Sequence, residues 1–375
     1  MKNRASEIMK SCQRRWLLGF SNGLYMIDPD SETPRLLLKG VQPTALAADP
    51  AQPTRLFCST YNRGLWRSED MGETWFPAGT PQNYYGSPVP GAIGPRETTF
   101  VSLSPQSDQN GSHTVWVGTE LSALYRSNDA GDTFQLVTDF DAMASRADWS
   151  FPPRPETHHV RAIAHDSNGN IYISVEFGAL LRSEDGGLSF EDRRSDSPLD
   201  THSLLTHPQA PGKVFAALGD GLMDIKRAYA ESSDGGRTWK YRSLGLEQMP
   251  YLYFMAVNPE NPDDVIVSAA PGPRAAHGAP EAANNIKSTN TPALKGGPVA
   301  IFRLSGEVWS RFDDGFPGEN SLIPTLSVDP HQPGYWYALS NQGFYSIGPE
   351  DHEWSRITMM DEWKSMHPMC LLAIS

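Results

Sequence analysis

The sequence has little of what marks a secreted, membrane-embedded or nucleic-acid-binding protein. Its 375 residues include three cysteines, Cys12, Cys58 and Cys370. That is too few and too scattered for a disulfide framework or a thiolate zinc site, and the odd count fits a reducing compartment. The segment before Trp16 carries basic residues but lacks the apolar run of roughly 7–15 residues that a secretory signal needs, so the reading is of a cytoplasmic protein that does not engage a membrane. Positive charge is scarce too. The 31 Lys and Arg stand against 44 Asp and Glu, a net charge of −13, which would repel a phosphate backbone over most of the surface and excludes nucleic acid as the expected partner. Charged residues reach only 20%, against roughly 25% in an average domain.

Turn formers are abundant instead. There are 32 glycines and 31 prolines beside a hydrophobic fraction of 39%, which describes a folded protein with many short elements and many reversals of direction. The chain is longer than the size, about 250–300 residues, at which one open core stops growing, yet no break in composition divides it. One large repetitive domain over 1–375 is the natural reading.

A repeat supports it. Ser68, Asp70, Gly72, Thr74 and Trp75 recur as Ser127, Asp129, Gly131, Thr133 and Phe134, then as Ser183, Asp185, Gly187, Ser189 and Phe190, and again as Ser232, Asp234, Gly236, Thr238 and Trp239. The Asp residues lie 59, 56 and 49 positions apart. Asp can bond backbone amides two residues on, Gly supplies a left-handed backbone, and the hydroxyl residue with its aromatic neighbour starts the next strand. Around each copy the order is the same: a short apolar strand A, a turn, strand B, a turn, and strand C ending at the motif, with D following. Period-2 patterning between Gly and Pro turns predicts four-stranded antiparallel meanders at about 41–80, 97–140, 158–195, 200–245, 251–315 and 320–360. In the last two the motif has decayed to Ser305–Trp309 and Pro349–Trp354. Residues 14–40 supply strands B, C and D without an A, and 366–375 supply the missing strand. The prediction is an all-β, seven-bladed β-propeller closed by both chain ends in one composite blade, which removes open sheet edges.

The fourfold motif at blade-like spacing resembles the Asp-box, or BNR, repeat of sialidase-like β-propellers. That group includes sialidases, xyloglucan-acting glycosidases, photosystem assembly factors and uncharacterised cytoplasmic proteins of glycosyl hydrolase-like type, which this chain looks most like. The resemblance implies the fold and transfers no catalytic residue. The N-terminal Arg-Ile-Pro-type motif of sialidases has no counterpart here, so sialidase activity is not expected.

In such a blade the D-to-A and B-to-C connections share one face, and the long connections 81–97, 140–158 and 271–297 all fall there. The last is a B-to-C insertion nearly without apolar anchors and reads as mobile, either a lid or a disordered stretch. Aligned units place Gln42, Glu97, His159, Asp200, Tyr251 and Leu322 at the head of the innermost strand, with His202, Tyr253, His158 and His367 near the same height. Glu120 and Glu176 end strand B in adjacent blades, with Tyr61 and Asp220 at similar turns. His158 and His159 are neighbours on one strand and must point to opposite sides.

Two functions are open. One is a hydrolase or lyase acting on a small polar or sugar-derived molecule at the loop-rich end of the channel, with Glu97, His159, His202 and Glu176 catalytic. Tyr84, Tyr85, Glu120, Trp149, Asp220, Tyr251, Tyr253 and His367 would then bind substrate. One version adds a divalent metal held by His159, His202 and Glu97; no nucleotide or organic cofactor is expected. The other is a non-catalytic scaffold that binds a protein or ligand through Tyr84, Tyr85, Trp149 and Trp363. An enzyme requires converging imidazoles and carboxylates; a scaffold requires an exposed apolar patch. Solvated polar groups lining a wet channel are the plain alternative to both.

Overall fold

Strand pairing follows the repeat. The computed structural model describes residues 14–28, 31, 33–79, 91–107, 111–278 and 294–374, and its strands form seven antiparallel sheets, the blades of a β-propeller. Six sheets have four strands; the sheet of Val160–His165, Ile171–Val175 and Ala179–Ser183 has three, with a single bridge from Arg182 to Glu191 where a fourth would run. The sheet of Pro368–Ile374, Arg15–Phe20, Gly23–Ile27 and Arg35–Lys39 joins the chain ends, with Arg15 opposite Ile374 and Gly19 opposite Cys370. No helix among the described residues is long and apolar enough to cross a membrane.

The chain divides into two compact units, residues 1–36, 219–229 and 241–375 in the first, and 37–218 and 230–240 in the second. In the first unit, Trp16, Phe20, Tyr337, Phe344 and Trp363 share a buried cluster, and Trp363 stacks on Phe20 at 4.7 Å. Trp363 is therefore core and not the surface anchor expected of it. Arg14 ion-pairs with Asp329, both buried, and Tyr337 donates to the same carboxylate at 3.0 Å. The insertion after Ala270 is tied down where it is described. Pro273–His277 form a short helix in which Ala276 is fully buried. Ile323 N–H donates to Ala276 O and Gly297 N–H to Ala275 O, each at 2.8 Å. Both ends of the insertion expected to be mobile, 271–297, thus make backbone hydrogen bonds, and its middle, 279–293, lies outside the described residues.

In the second unit the four recurring turns have one geometry. The serine hydroxyl donates to the Asp carboxylate and accepts the Gly amide, as Ser183 does to Asp185 at 2.8 Å and from Gly187 at 2.9 Å. The Asp accepts the amide four residues on at 2.9 Å in every copy. Hydrogen bonds from Ser189 hold the Asp185 carboxyl down at about 2. These turns also join consecutive blades. Arg67 donates to Ala130 O at 2.7 Å and Arg182 to Gly235 O at 2.9 Å, the same position of the following turn.

The turn glycines also receive an aromatic ring from the preceding blade. At Gly187, with φ of +82°, a Cβ would lie 2.3 Å from the Trp116 ring, whereas at Gly236, with φ of +76°, it would meet Tyr172 only at 3.6 Å. Gly187→Ala should therefore cost about 1–2 kcal/mol for the left-handed backbone and a further ~1–3 kcal/mol for overpacking, while Gly236→Ala should incur only the first. Urea unfolding of the two variants checks this, and equal losses would remove the packing argument.

Candidate acid-base site

One backbone hydrogen bond sets the frame. The amide of the residue after strand B donates to the carbonyl of the residue before strand A: Tyr61 to Gln42 at 2.8 Å, Glu120 to Glu97 at 3.0 Å, and Glu176 to His159 at 3.3 Å. In the first unit Ser21 does the same to His367 at 2.9 Å. Three of the six aligned positions, Gln42, Glu97 and His159, thus occupy the same place in their blades. His159, just before its strand, and Arg161, where the strand's pairing register shifts, both reach Glu176 Oε2, at 2.8 Å from Nε2 and 3.4 Å from the guanidinium Nε. His158 points away, accepts the Ser122 amide at 3.2 Å and lies edge-on to Trp149.

The next blade supplies His202, whose Nε2 is 3.5 Å from Glu176 Oε1 and 3.2 Å from Asp200 Oδ1. The blade before supplies Glu120, 3.7 Å from His159 Nδ1, and Glu120 is itself gripped by both terminal nitrogens of Arg154 at 2.9 and 3.0 Å. Arg154 also donates to the Tyr61 hydroxyl at 2.6 Å. The result is a continuous chain of polar and charged groups from Tyr61 through Arg154, Glu120, His159, Glu176 and His202 to Asp200, all within the second unit. His159 and Arg154 are its more exposed side chains, at 13% and 42%; Glu176 and His202 are buried.

Burial alone would push the Glu176 carboxyl up, but hydrogen bonds from His159 and His202 hold it well below the carboxylate range. Burial alone would push His202 down, yet the charge and hydrogen bond of Asp200, followed by Glu176, hold it well above the usual imidazole value. His158 is lowered, by burial and then by Arg146. The arrangement can accept and pass a proton at His159 while keeping Glu176 ionised.

Of the residues anticipated as catalytic, His159, His202 and Glu176 are brought together, and Glu120 joins them. Glu97 contributes its carbonyl to the frame, and its side chain is not part of the cluster. Among the described residues, the metal-capable side chains with donor atoms within 4.8 Å of one another are Glu176, Asp200 and His202, without Glu97 or His159. Glu176 is already met by Arg161 and two imidazoles, and the nitrogen of His202 that would ligate faces two carboxylates as a proton donor, so these residues fit an ion-pair network better than a metal.

Trp149 is not a ligand anchor. It is buried against Phe140 and donates to Ser145 Oγ at 3.0 Å. Tyr84 and Tyr85 lie outside the described residues. In the first unit, Asp220 is buried with Arg227 at 3.4 Å. There too, Tyr251, Tyr253 and His367 gather about His277, at 3.1 Å to Tyr251 Oη, 4.6 Å between rings for Tyr253, and 2.7 Å from His367 Nε2 to the His277 carbonyl. Sequence reasoning missed Arg161, although its place two residues after His159 on a strand was the available signal. It placed Asp200 at the head of the innermost strand without a named role, and gave Arg154 none.

No known family's sequence profile matches the chain. It is 28% identical over 222 residues to a xyloglucanase from Paenibacillus sp, covering 52% of this chain and 20% of that protein. It is 24% identical over 291 residues to xyloglucanase Xgh74A of Acetivibrio thermocellus, covering 66% and 33%. The chain therefore spans a third or less of the curated relatives it matches. Among solved structures it resembles an ancestral GH74 enzyme, with a TM-score of 0.55 and 18% identity over 84% of this chain and 38% of that one. It also resembles YCF48 from Cyanidioschyzon merolae, with a TM-score of 0.56 and 12% identity over 90% and 91%. A structure of YCF48 bound to D1 peptide matches with a TM-score of 0.52 and 14% identity over 87% and 86%. The structural likenesses concern the fold alone, a β-propeller.

Two imidazoles, His202 and His165, predict opposite pH dependences. His202 is raised above its ordinary 6.5, so its stabilising contribution is complete below that pH and is lost as pH rises through the folded-state value. His165, pushed down by burial to about 4, contributes stability above 6.5 that is lost as pH falls towards 4. Urea midpoints should fall on both sides, and His202→Gln should flatten only the alkaline slope. An unchanged alkaline slope would contradict the charge assigned to His202.

Proposed function

We propose that this protein is a hydrolase acting on a sugar-derived or other small polar molecule, with His159 as general base and Glu176 as the carboxylate that orients it. The observation carrying this reading is the His159 imidazole set between carboxylates of two blades, 2.8 Å from Glu176 and 3.7 Å from Glu120. Water gives a proton to His159 as its oxygen attacks the electrophilic carbon, Glu176 offsets the imidazolium charge, and the proton passes to the leaving oxygen. A lyase would use the same imidazole to take a carbon-bound proton. Glu176 is unsuited to be the acid, because its hydrogen bonds keep it ionised. The xyloglucanase relatives support a carbohydrate as the substrate class, and no metal enters the reading. The recurring turns, read as Asp boxes, serve the fold. Cys58 and Cys370 are buried free thiols, in keeping with a cytoplasmic setting.

The test is an assay of the purified chain against xyloglucan oligosaccharides and a panel of chromogenic glycosides and esters. His159→Gln and Glu176→Gln should each lower kcat/KM by about 10²–10⁴ while remaining folded. Activity unaffected by either change would overturn the assignment, and so would silence across the panel.

A second reading, a protein-binding propeller, is favoured by the exposed Leu222, Met223 and Ile225 of the first unit, at 44%, 65% and 48%. A neighbour of nearly the same extent is described as bound to a peptide. Replacing Met223 and Ile225 by Asp would abolish partner capture under that reading and leave hydrolysis untouched under the first.

A further inference from the structure

We infer that Asp200 and His202 are positioning residues for His159: they hold Glu176 as a carboxylate that accepts from Nε2, and so leave Nδ1 as the nitrogen that takes up a proton. The inference rests on the reading of His159 as a base and specifies which of its atoms acts. An ionised carboxylate is an acceptor only. The two oxygens of Glu176 face different imidazoles, Oε2 toward His159 Nε2 at 2.8 Å and Oε1 toward His202 Nε2 at 3.5 Å. His202 Nε2 also lies 3.2 Å from Asp200 Oδ1, so it meets two acceptors and carries its hydrogen. A positively charged His202 between Asp200 and Glu176 favours the ionised form of both, as does Arg161 at 3.4 Å from Glu176. His159 must then present N–H from Nε2, and the neutral ring has its lone pair on Nδ1.

Nδ1 is buried, has no hydrogen-bond partner in the structure and stands 3.7 Å from Glu120 Oε2. As a bare acceptor it gains nothing from that carboxylate. Once it takes a proton it becomes a donor, and Glu120, fixed by Arg154, becomes its partner. Proton uptake thus creates an ion pair where there was none. The charged and titratable groups around His159 are Glu120 and Arg154 from one side, Arg161, Glu176 and the neighbouring His158 from its own blade, and His202 with Asp200 from the next. Only Glu120 is placed to answer a proton on Nδ1.

The experiment is long-range ¹H–¹⁵N correlation on the full chain labelled with ¹⁵N-histidine, with His159→Gln and His202→Gln used to assign the rings. His159 should show a protonated Nε2 and a bare Nδ1, and His202 should hold both protons at pH 7. Asp200→Asn should lower the His202 midpoint by about 1–3 pH units and mix the two tautomers of His159. Glu120→Gln should leave the tautomer as it is. A His159 protonated at Nδ1 instead would overturn the inference. So would a neutral His202 at pH 7, or stoichiometric Zn²⁺ bound at Glu176, Asp200 and His202. Should Asp200→Asn fail to fold, the wild-type spectrum decides. The expected tautomer without hydrolysis would defeat only the proposed function, and hydrolysis with the opposite tautomer would defeat only this inference.

Discussion

The burial of one carboxylate organises the candidate site. Glu176 sits just beyond the end of a fully buried strand, Ile171–Val175, where an isolated charge would cost several kcal/mol. It is tolerated because three donors converge on it, His159 and Arg161 from the neighbouring strand of its own blade and His202 from the next. Each donor then needs its own counter-charge, which Asp200 supplies to His202 and which leaves Glu120 to Arg154. The length of this chain follows from that first requirement: every group brought in to satisfy one neighbour must itself be satisfied.

Such a network demands strand ends held to within fractions of an ångström, and the hydrogen-bonded turns provide this from the opposite end of the same strands. Ser183 pairs with Ile171 at the start of strand B, and Glu176 lies just past its finish. The turn locks that start through Ser183, Asp185 and Gly187, and Arg182 fastens the next blade's turn alongside. The turns and the candidate site therefore occupy opposite ends of one sheet. Each end can vary without the other, which is why propellers with the same turns carry different functions.

That separation also decides what the sequence could reveal. The turns had to repeat, so blade number, strand order and closure by Arg15–Phe20 with Pro368–Ile374 were legible from spacing and composition. Glu120, Glu176, His159 and His202 were legible because they fall at fixed offsets from the repeat. Arg154 was not, since it arrives from an irregular connection whose course no periodicity constrains. Trp149 and Trp363 were misjudged as surface anchors for a related reason: both lie in connections, where an aromatic residue can cover the core or face solvent with the same local pattern. Here the rings of Phe140 and Phe20 take them inward.

The backbone frame offers a comparison within the molecule itself. The amide after strand B meets the carbonyl before strand A in four blades, carrying the pairs Tyr61 with Gln42, Glu120 with Glu97, Glu176 with His159, and Ser21 with His367. Identical backbone contacts thus present four different chemistries. The pair of two carboxylates does not close on itself; Glu120 turns to Arg154 instead. The pair with a hydroxyl leaves its imidazole to bond a backbone carbonyl, that of His277. Among these four, only the third sets an imidazole directly against a carboxylate of its own blade, and it lies next to blades that supply Glu120 on one side and His202 on the other. A fold that repeats its frame so closely places the site by substitution at a few fixed positions. The departure of the third pair from its siblings is what singles out His159 and Glu176, independently of any relative.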